Sequence, residues 1–360
     1  MTVSAEPPPP EVEPAGSTGV QEMRESDADA RSAATSAPAK RVPDFFIVGH
    51  EKCGTTALYR MLRSHPQIYM PDLKEPRFFS PDLSGRGRGH AVPATKGVRP
   101  HTLEDYLALF AAASPQQRAG EASPQYIRSA VAASAIADVQ PAARIIAILR
   151  EPASFLSSYH LQCLNSDLET EKDFRKALAL EAPRREGRHV PRRCEAPDRL
   201  LYSDHVRYVE QLRRFHAVFA PEQVLVLIYE DFRRDNEAAI RTVLRFLDVD
   251  DTIPVESIKT EPLKATRFVH LHQMTYAVRV AKNKPAMAGP VSRAVSTLIP
   301  RRLRDTALAT AWRRIVYTQP GAPDEELMHD LRRRFKGEVV ALSDYLGRDL
   351  VTLWGYDKVA

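Results

Sequence analysis

At 360 residues, 43% hydrophobic and 27% charged, the chain can bury a sizeable core, as one large domain or two small ones. A net charge of +5 suits a polyanionic ligand but falls far short of a histone-like excess, so nucleic acid is not the expected partner. Cys53, Cys163 and Cys194 offer neither a disulfide framework nor a zinc spacing, and the apolar runs are strand-sized, too short to span a membrane. With no basic start and apolar core of a secretory leader at the N-terminus, the expectation is a cytoplasmic protein without a transmembrane segment.

Residues 1–40 contain Pro7 to Pro10 in a row and almost no aromatic or branched apolar side chains. Such a segment cannot bury enough surface to offset its ordering entropy, so it reads as a disordered tail. Phe45, Phe46, Ile47 and Val48 then run straight into the polar turn Gly49-His50-Glu51-Lys52-Cys53-Gly54-Thr55-Thr56. Leu58, Met61 and Leu62 follow at helical spacing, which gives strand, glycine loop, helix. A loop of that kind aims backbone N–H groups and the positive end of a helix at an anion. Lys52 adds a full charge, and Thr55 and Thr56 add hydroxyl donors. The loop differs from an ATP-binding G-x-x-x-x-G-K-[ST], because Thr55 occupies the lysine position and Lys52 lies inside the turn.

Beyond it lie Lys74-Glu75-Pro76-Arg77-Phe78-Phe79, then a Gly-, Pro- and base-rich surface loop over 83–100. A helix over 102–112 is capped by Thr102 or its predecessor, and a short one lies over 129–139. Between them Gly120-Glu121-Ala122-Ser123-Pro124-Gln125-Tyr126 forms a strand end and turn. Ala143–Leu149 is apolar throughout, apart from Arg144, as a strand buried on both faces should be, and it ends at Arg150-Glu151-Pro152 where a helix begins. Residues 182–200 read as a basic, proline-broken loop, 204–219 as an amphipathic helix, 224–228 as a third buried strand and 236–247 as a helix. The stripe Leu331, Phe335, Val339, Leu342 and Leu346 closes with Gly347 as C-cap. Strands alternating with helices predict an α/β fold with a P-loop-like, doubly wound parallel sheet flanked by helices. Ligands of such sheets bind beyond the carboxyl ends of strands, where both the Lys52 loop and Arg150 fall. His205, His216, His270 and His272 are scattered without partners and read as non-catalytic. The arginine clusters at 184–193 and 301–304 fit either an anionic ligand or a solvated basic face.

Lys52-x-Gly54-Thr55-Thr56-x-Leu58, followed by His65-Pro66, resembles the 5′-phosphosulfate loop of sulfotransferases that use 3′-phosphoadenylyl sulfate (PAPS). The strand ending at Arg150, with Ser158 eight residues on, resembles the 3′-phosphate motif of the same family. Glu75 in Glu75-Pro76-Arg77-Phe78-Phe79 matches the base of the heparan-sulfate type, whose motif is Glu-x-His-Phe-Phe; Arg77 stands in place of the histidine. The turn at 120–126 is similar to Gly-Glu-Lys-[ST]-Pro-x-Tyr, with Ala122 where the supporting lysine would be. The small-molecule branch has a histidine base in a comparable turn, and that is absent too.

The resemblance implies one sulfotransferase domain over 41–360 with PAPS as co-substrate and direct transfer without a metal. The acceptor would be a carbohydrate, glycolipid or secondary-metabolite hydroxyl. Lys52, Cys53, Gly54, Thr55 and Thr56 would hold the 5′-phosphosulfate, and Arg150 with Ser158 the 3′-phosphate. Glu75 would be the base, with Glu121 in reserve. The nucleotide-gripping loop would fall in 260–295, with Lys264 and Arg267 as candidates. Two other readings stand beside it. A nucleotide kinase would need a Gly-Lys-Thr triplet and an acidic magnesium site. A non-catalytic polyanion-binding module would not explain two phosphate motifs at separate strand ends.

Overall fold

The computed structural model describes residues 41–83, 99–192, 194, 196–256, 258, 265–266, 317–318 and 324–359. The predicted tail, most of the 83–100 loop, Lys264, Arg267, His270, His272 and the 301–304 cluster lie outside them. The elements in chain order begin with β1 (Phe45–Ile47), α1 (Thr55–Arg63), β2 (Ile68–Tyr69), α2 (Leu103–Ala108) and β3 (Arg118–Ala122). Next come α3 (Ala132–Val139), β4 (Arg144–Leu149), α4 (Pro152–Asn165), α5 (Phe174–Ala179) and α6 (Glu181–Arg185). Then follow α7 (Tyr208–His216), β5 (Val224–Ile228), α8 (Tyr229–Arg234) and α9 (Asn236–Phe246). The last are β6 (Ala265–Thr266), β7 (Tyr317–Thr318), α10 (Glu325–Leu346) and α11 (Leu350–Leu353).

Five strands form one parallel sheet in the order β2-β3-β1-β4-β5, as the alternating pattern predicted. β1 is central, pairing Phe45 with Gly120 on one side and Arg144 on the other. The chain steps outward from β1 to β2, returns through β3, and crosses to β4 and β5. The carboxyl end of β1 is therefore the topological switch point, where open α/β sheets bind ligands. Phe45, Phe46, Ile47 and Val48 are all fully buried, as a central strand covered on both faces requires.

Two short strands, β2 and β3, join the three read from apolar runs. β3 is Arg-Ala-Gly-Glu-Ala, with no branched or aromatic residue to mark it. Its small residues serve packing instead: a Cβ on Gly120 would sit 2.1 Å from the Phe45 ring. The helix read over 102–112 is shorter, ending at Ala108, and Thr102 with Asp105 forms its capping box. The 182–200 stretch is partly helical rather than an open loop. Arg184 is buried and forms a two-pronged ion pair with Glu169 at 2.7 and 2.8 Å, to which the Tyr202 hydroxyl donates at 2.9 Å. At the carboxyl end, Gly347 closes α10 in the left-handed conformation (φ +60°), as its position after the apolar stripe predicts. β6 and β7 pair antiparallel, and β6 lies beside α4. No helix among the described residues is long and apolar enough to cross a membrane.

Candidate active site

β1 extends its ladder to β4 by two further bonds, Val48 N to Ile146 O at 2.9 Å and His50 N to Ile148 O at 3.3 Å, and then turns. The turn needs its glycines. A Cβ on Gly49 would meet Ile148 N at 2.4 Å, and Gly54 has φ +86° with the Phe232 ring 3.0 Å from where its Cβ would be. Lys52 also takes a left-handed φ of +66°, a conformation that costs a non-glycine residue about 1–3 kcal/mol. α1 starts at Thr55 with no side-chain cap and no acid in its first turn, so its opening N–H groups and dipole face outward without a counter-charge. Thr55 is buried and Thr56 exposed.

The half-buried Lys52 ammonium has its pKa lowered by burial and then by the neighbouring Arg150. An arriving anion relieves both effects. The Cys53 side chain is fully buried, and its Sγ lies 3.6 Å from the Glu51 carbonyl; burial pushes the thiol up. Only its backbone amide can serve a ligand. Beneath the loop His50 is neutral: burial, partly offset by a 2.8 Å bond to Gln211, lowers its pKa to about 3.

Arg150 follows β4 directly, and its Nη1 donates to the Lys52 carbonyl at 3.1 Å. Its guanidinium lies 4.7 Å from the centre of the Tyr229 ring, a cation–π contact, and its own carbonyl accepts from Tyr208 at 2.9 Å. Its Nε is buried with no hydrogen-bond partner among the described residues. Two motifs 98 residues apart thus meet at neighbouring strand ends. Ser158 is half-buried on α4 and makes no hydrogen bond to Arg150 or to the loop. At about 1.5 Å of rise per residue it sits two turns along the helix, on the element that β6 adjoins.

Glu75 also has a left-handed φ (+61°), as does Arg77 (+58°). The segment is clipped to the 120–126 turn by three backbone donors: Glu75 N to Ala122 O at 3.1 Å, Arg77 N to Ser123 Oγ at 3.1 Å and Phe79 N to the Tyr126 hydroxyl at 3.2 Å. The turn therefore supports the Glu75 segment even though Ala122 carries no charge. The Glu75 carboxylate is held by Lys74 at 2.7 Å and Arg77 at 2.5 Å. Burial alone would push its pKa up, but the two cations outweigh that and bring it to about 2.

Glu121 behaves oppositely. It is fully buried, and burial, partly offset by the neighbouring Tyr126 and Ser123 hydroxyls, raises its pKa to about 8. Its side chain is enclosed on every side. His205 is packed in the core against Arg128, and His216 bonds Tyr345, so neither faces the cleft. Among the described residues no group of three or more His, Cys, Asp or Glu is placed to hold a metal ion. Sequence reasoning missed Tyr208 and Tyr229, which act on Arg150 only through tertiary contact. It also missed Arg199, 3.7 Å from Glu51 at the base of the loop. No local pattern signals any of the three.

The sequence model of the Sulfotransferase family matches residues 43–252, more than half of the chain. Carbohydrate sulfotransferase 15 of Mus musculus is 27% identical over 252 residues, covering 58% of this chain and 44% of that protein. Bifunctional heparan sulfate N-deacetylase/N-sulfotransferase 3 of Homo sapiens is 28% identical over 214 residues, covering 58% of this chain and 22% of that one. The chain thus spans less than half the length of either relative. Among solved structures, a sulfotransferase from Alicyclobacillus acidocaldarius superposes with a TM-score of 0.53 at 29% identity, over 76% of this chain and 100% of that one.

Proposed function

The chain belongs to the sulfotransferase family, and from that premise we propose that it transfers a sulfuryl group from PAPS to a carbohydrate hydroxyl. The observation that carries this reading is the 3.1 Å bond from Arg150 to the Lys52 carbonyl, which joins two anion-binding motifs at neighbouring strand ends. A donor with phosphates at both its 5′ and 3′ positions calls for two such sites. Lys52, with the amides of Cys53, Gly54, Thr55 and Thr56, holds the 5′-phosphosulfate. Arg150 and Ser158 hold the 3′-phosphate. Lys264 and Arg267, adjacent in sequence to β6, are the further nucleotide contacts, and residues 41–360 act as one catalytic domain.

The acceptor oxygen bonds to sulfur as the bond from sulfur to the 5′-phosphate oxygen breaks. Lys52 and the start of α1 meet the charge that develops on the leaving phosphate. The acceptor proton goes to Glu75. With a pKa of about 2 that carboxylate is ionised at every physiological pH, and a proton bound to it passes quickly to solvent. Direct transfer of this kind balances without a metal. The names of the curated relatives, carbohydrate sulfotransferase 15 among them, support a glycan acceptor. The test is transfer of labelled sulfate from PAPS to a panel of glycans, glycolipids and small-molecule alcohols. Incorporation into a glycan that falls about 10²-fold or more in Lys52→Ala is the expected result. Undiminished turnover in that variant overturns the assignment.

A further inference from the structure

The chain end beyond α11 folds back onto the two turns that hold Arg150. Trp354 Nε1 donates to Glu230 Oε2 at 2.9 Å, and the Tyr356 hydroxyl donates to Glu151 Oε1 at 2.8 Å. The two carboxylates belong to one network, because Glu151 N donates to Glu230 Oε1 at 3.3 Å. Glu151 also caps α4, accepting from Ala153 N at 3.0 Å and Ser154 N at 2.7 Å, and Arg332 Nε lies 3.7 Å away. Trp354, Tyr356 and Glu151 are all buried.

The positions of these carboxylates matter for the cleft. Glu151 is the residue after Arg150. Glu230 is the residue after Tyr229, whose ring carries the Arg150 guanidinium at 4.7 Å. Both ends of the Arg150 support are thus tied, one residue away, to the same carboxyl-terminal turn. Packing alone asks for aromatic bulk at these two places, not for a bonded indole N–H or a bonded phenol. We propose that Trp354 and Tyr356 are positioning residues, which set the Arg150 guanidinium for the donor's 3′-phosphate. The proposal rests on the donor reading above.

The test compares adenosine 3′,5′-bisphosphate with 5′-AMP by calorimetry on the full chain. The ratio of their dissociation constants isolates the 3′-phosphate, whereas general damage to the fold weakens both. Tyr356→Phe keeps its ring and removes the hydroxyl donor, and Trp354→Phe puts a smaller aromatic ring without the N–H donor in place of the indole. Each is expected to lower the preference for the 3′-phosphate by about 5-fold, the size of one hydrogen bond's net contribution, with 5′-AMP binding unchanged. Arg150→Ala sets the floor of the ratio. An unchanged ratio in both phenylalanine variants overturns the proposal, as does equal weakening of both nucleotides. A parent ratio near one overturns the donor reading, and the proposal with it, so the two failures are told apart.

Discussion

At the end of β1, Lys52 has no carboxylate within ion-pair distance among the described residues, and Arg150 stands beside it; at the end of β3, Glu75 is gripped by two cations. The first half is left charged, with desolvation and repulsion already taken up in the fold, so a polyanion gains from both groups on arrival. The second half is neutralised in advance. Its carboxylate is fixed in place but held far below the basicity at which proton transfer is most effective. Substitutions in the two halves should therefore separate, those on the β1–β4 side acting on the donor and those at Glu75 acting on turnover alone.

The largest effect is expected from Lys52→Ala, a fall of about 10²–10³ in kcat, measured in single-turnover transfer. Glu75→Gln should lower kcat by about 10²-fold while leaving the affinity for adenosine 3′,5′-bisphosphate undiminished, since it removes a negative charge from the site. Weakened nucleotide binding in that variant would merge the two halves and break the comparison. Arg150→Ala should weaken the same nucleotide by about 10–100-fold, the range of a hydrogen bond to a charged group.

The contrast between Glu75 and Glu121 gives a smaller, pH-dependent effect. The folded pKa of Glu75 is depressed, so its contribution to stability is present above the unfolded value of 4.5 and is lost as pH falls toward about 2. The folded pKa of Glu121 is raised, so stability is fully present below pH 4.5 and is lost as pH rises toward about 8. Melting curves of Glu121→Gln should shift in favour of the variant between pH 5 and pH 8. A difference from the parent that does not change over that range contradicts a buried neutral acid.

The parts legible in the sequence are those whose physics is local. Val224–Ile228 and the run ending at Leu149 are apolar enough to be strands in any parallel sheet, and Gly49 and Gly54 bracket a strand–loop–helix turn that spacing alone reveals. Only the end of β3 was legible, at Gly120–Ala122, because its alanines and glycine carry no strand propensity and Gly120 is there to admit Phe45, a tertiary demand with no local signature. For the same reason the basic run near 184 misleads: Arg184 is charged in sequence but lies against Glu169 in the core. Breaking such a pair by removing one partner costs about 3–5 kcal/mol. The contacts of Tyr208 and Tyr229 with Arg150, and of Trp354 with Glu230, join segments far apart in the chain, and no spacing rule reaches that far.

Calorimetric titration of the full chain with adenosine 3′,5′-bisphosphate against ATP–Mg²⁺ tests most directly whether the Lys52 loop and Arg150 form one donor site. Clear preference for the bisphosphate, lost in Arg150→Ala, is the predicted result. Preference for ATP–Mg²⁺, or a bisphosphate affinity indifferent to Arg150, would contradict it.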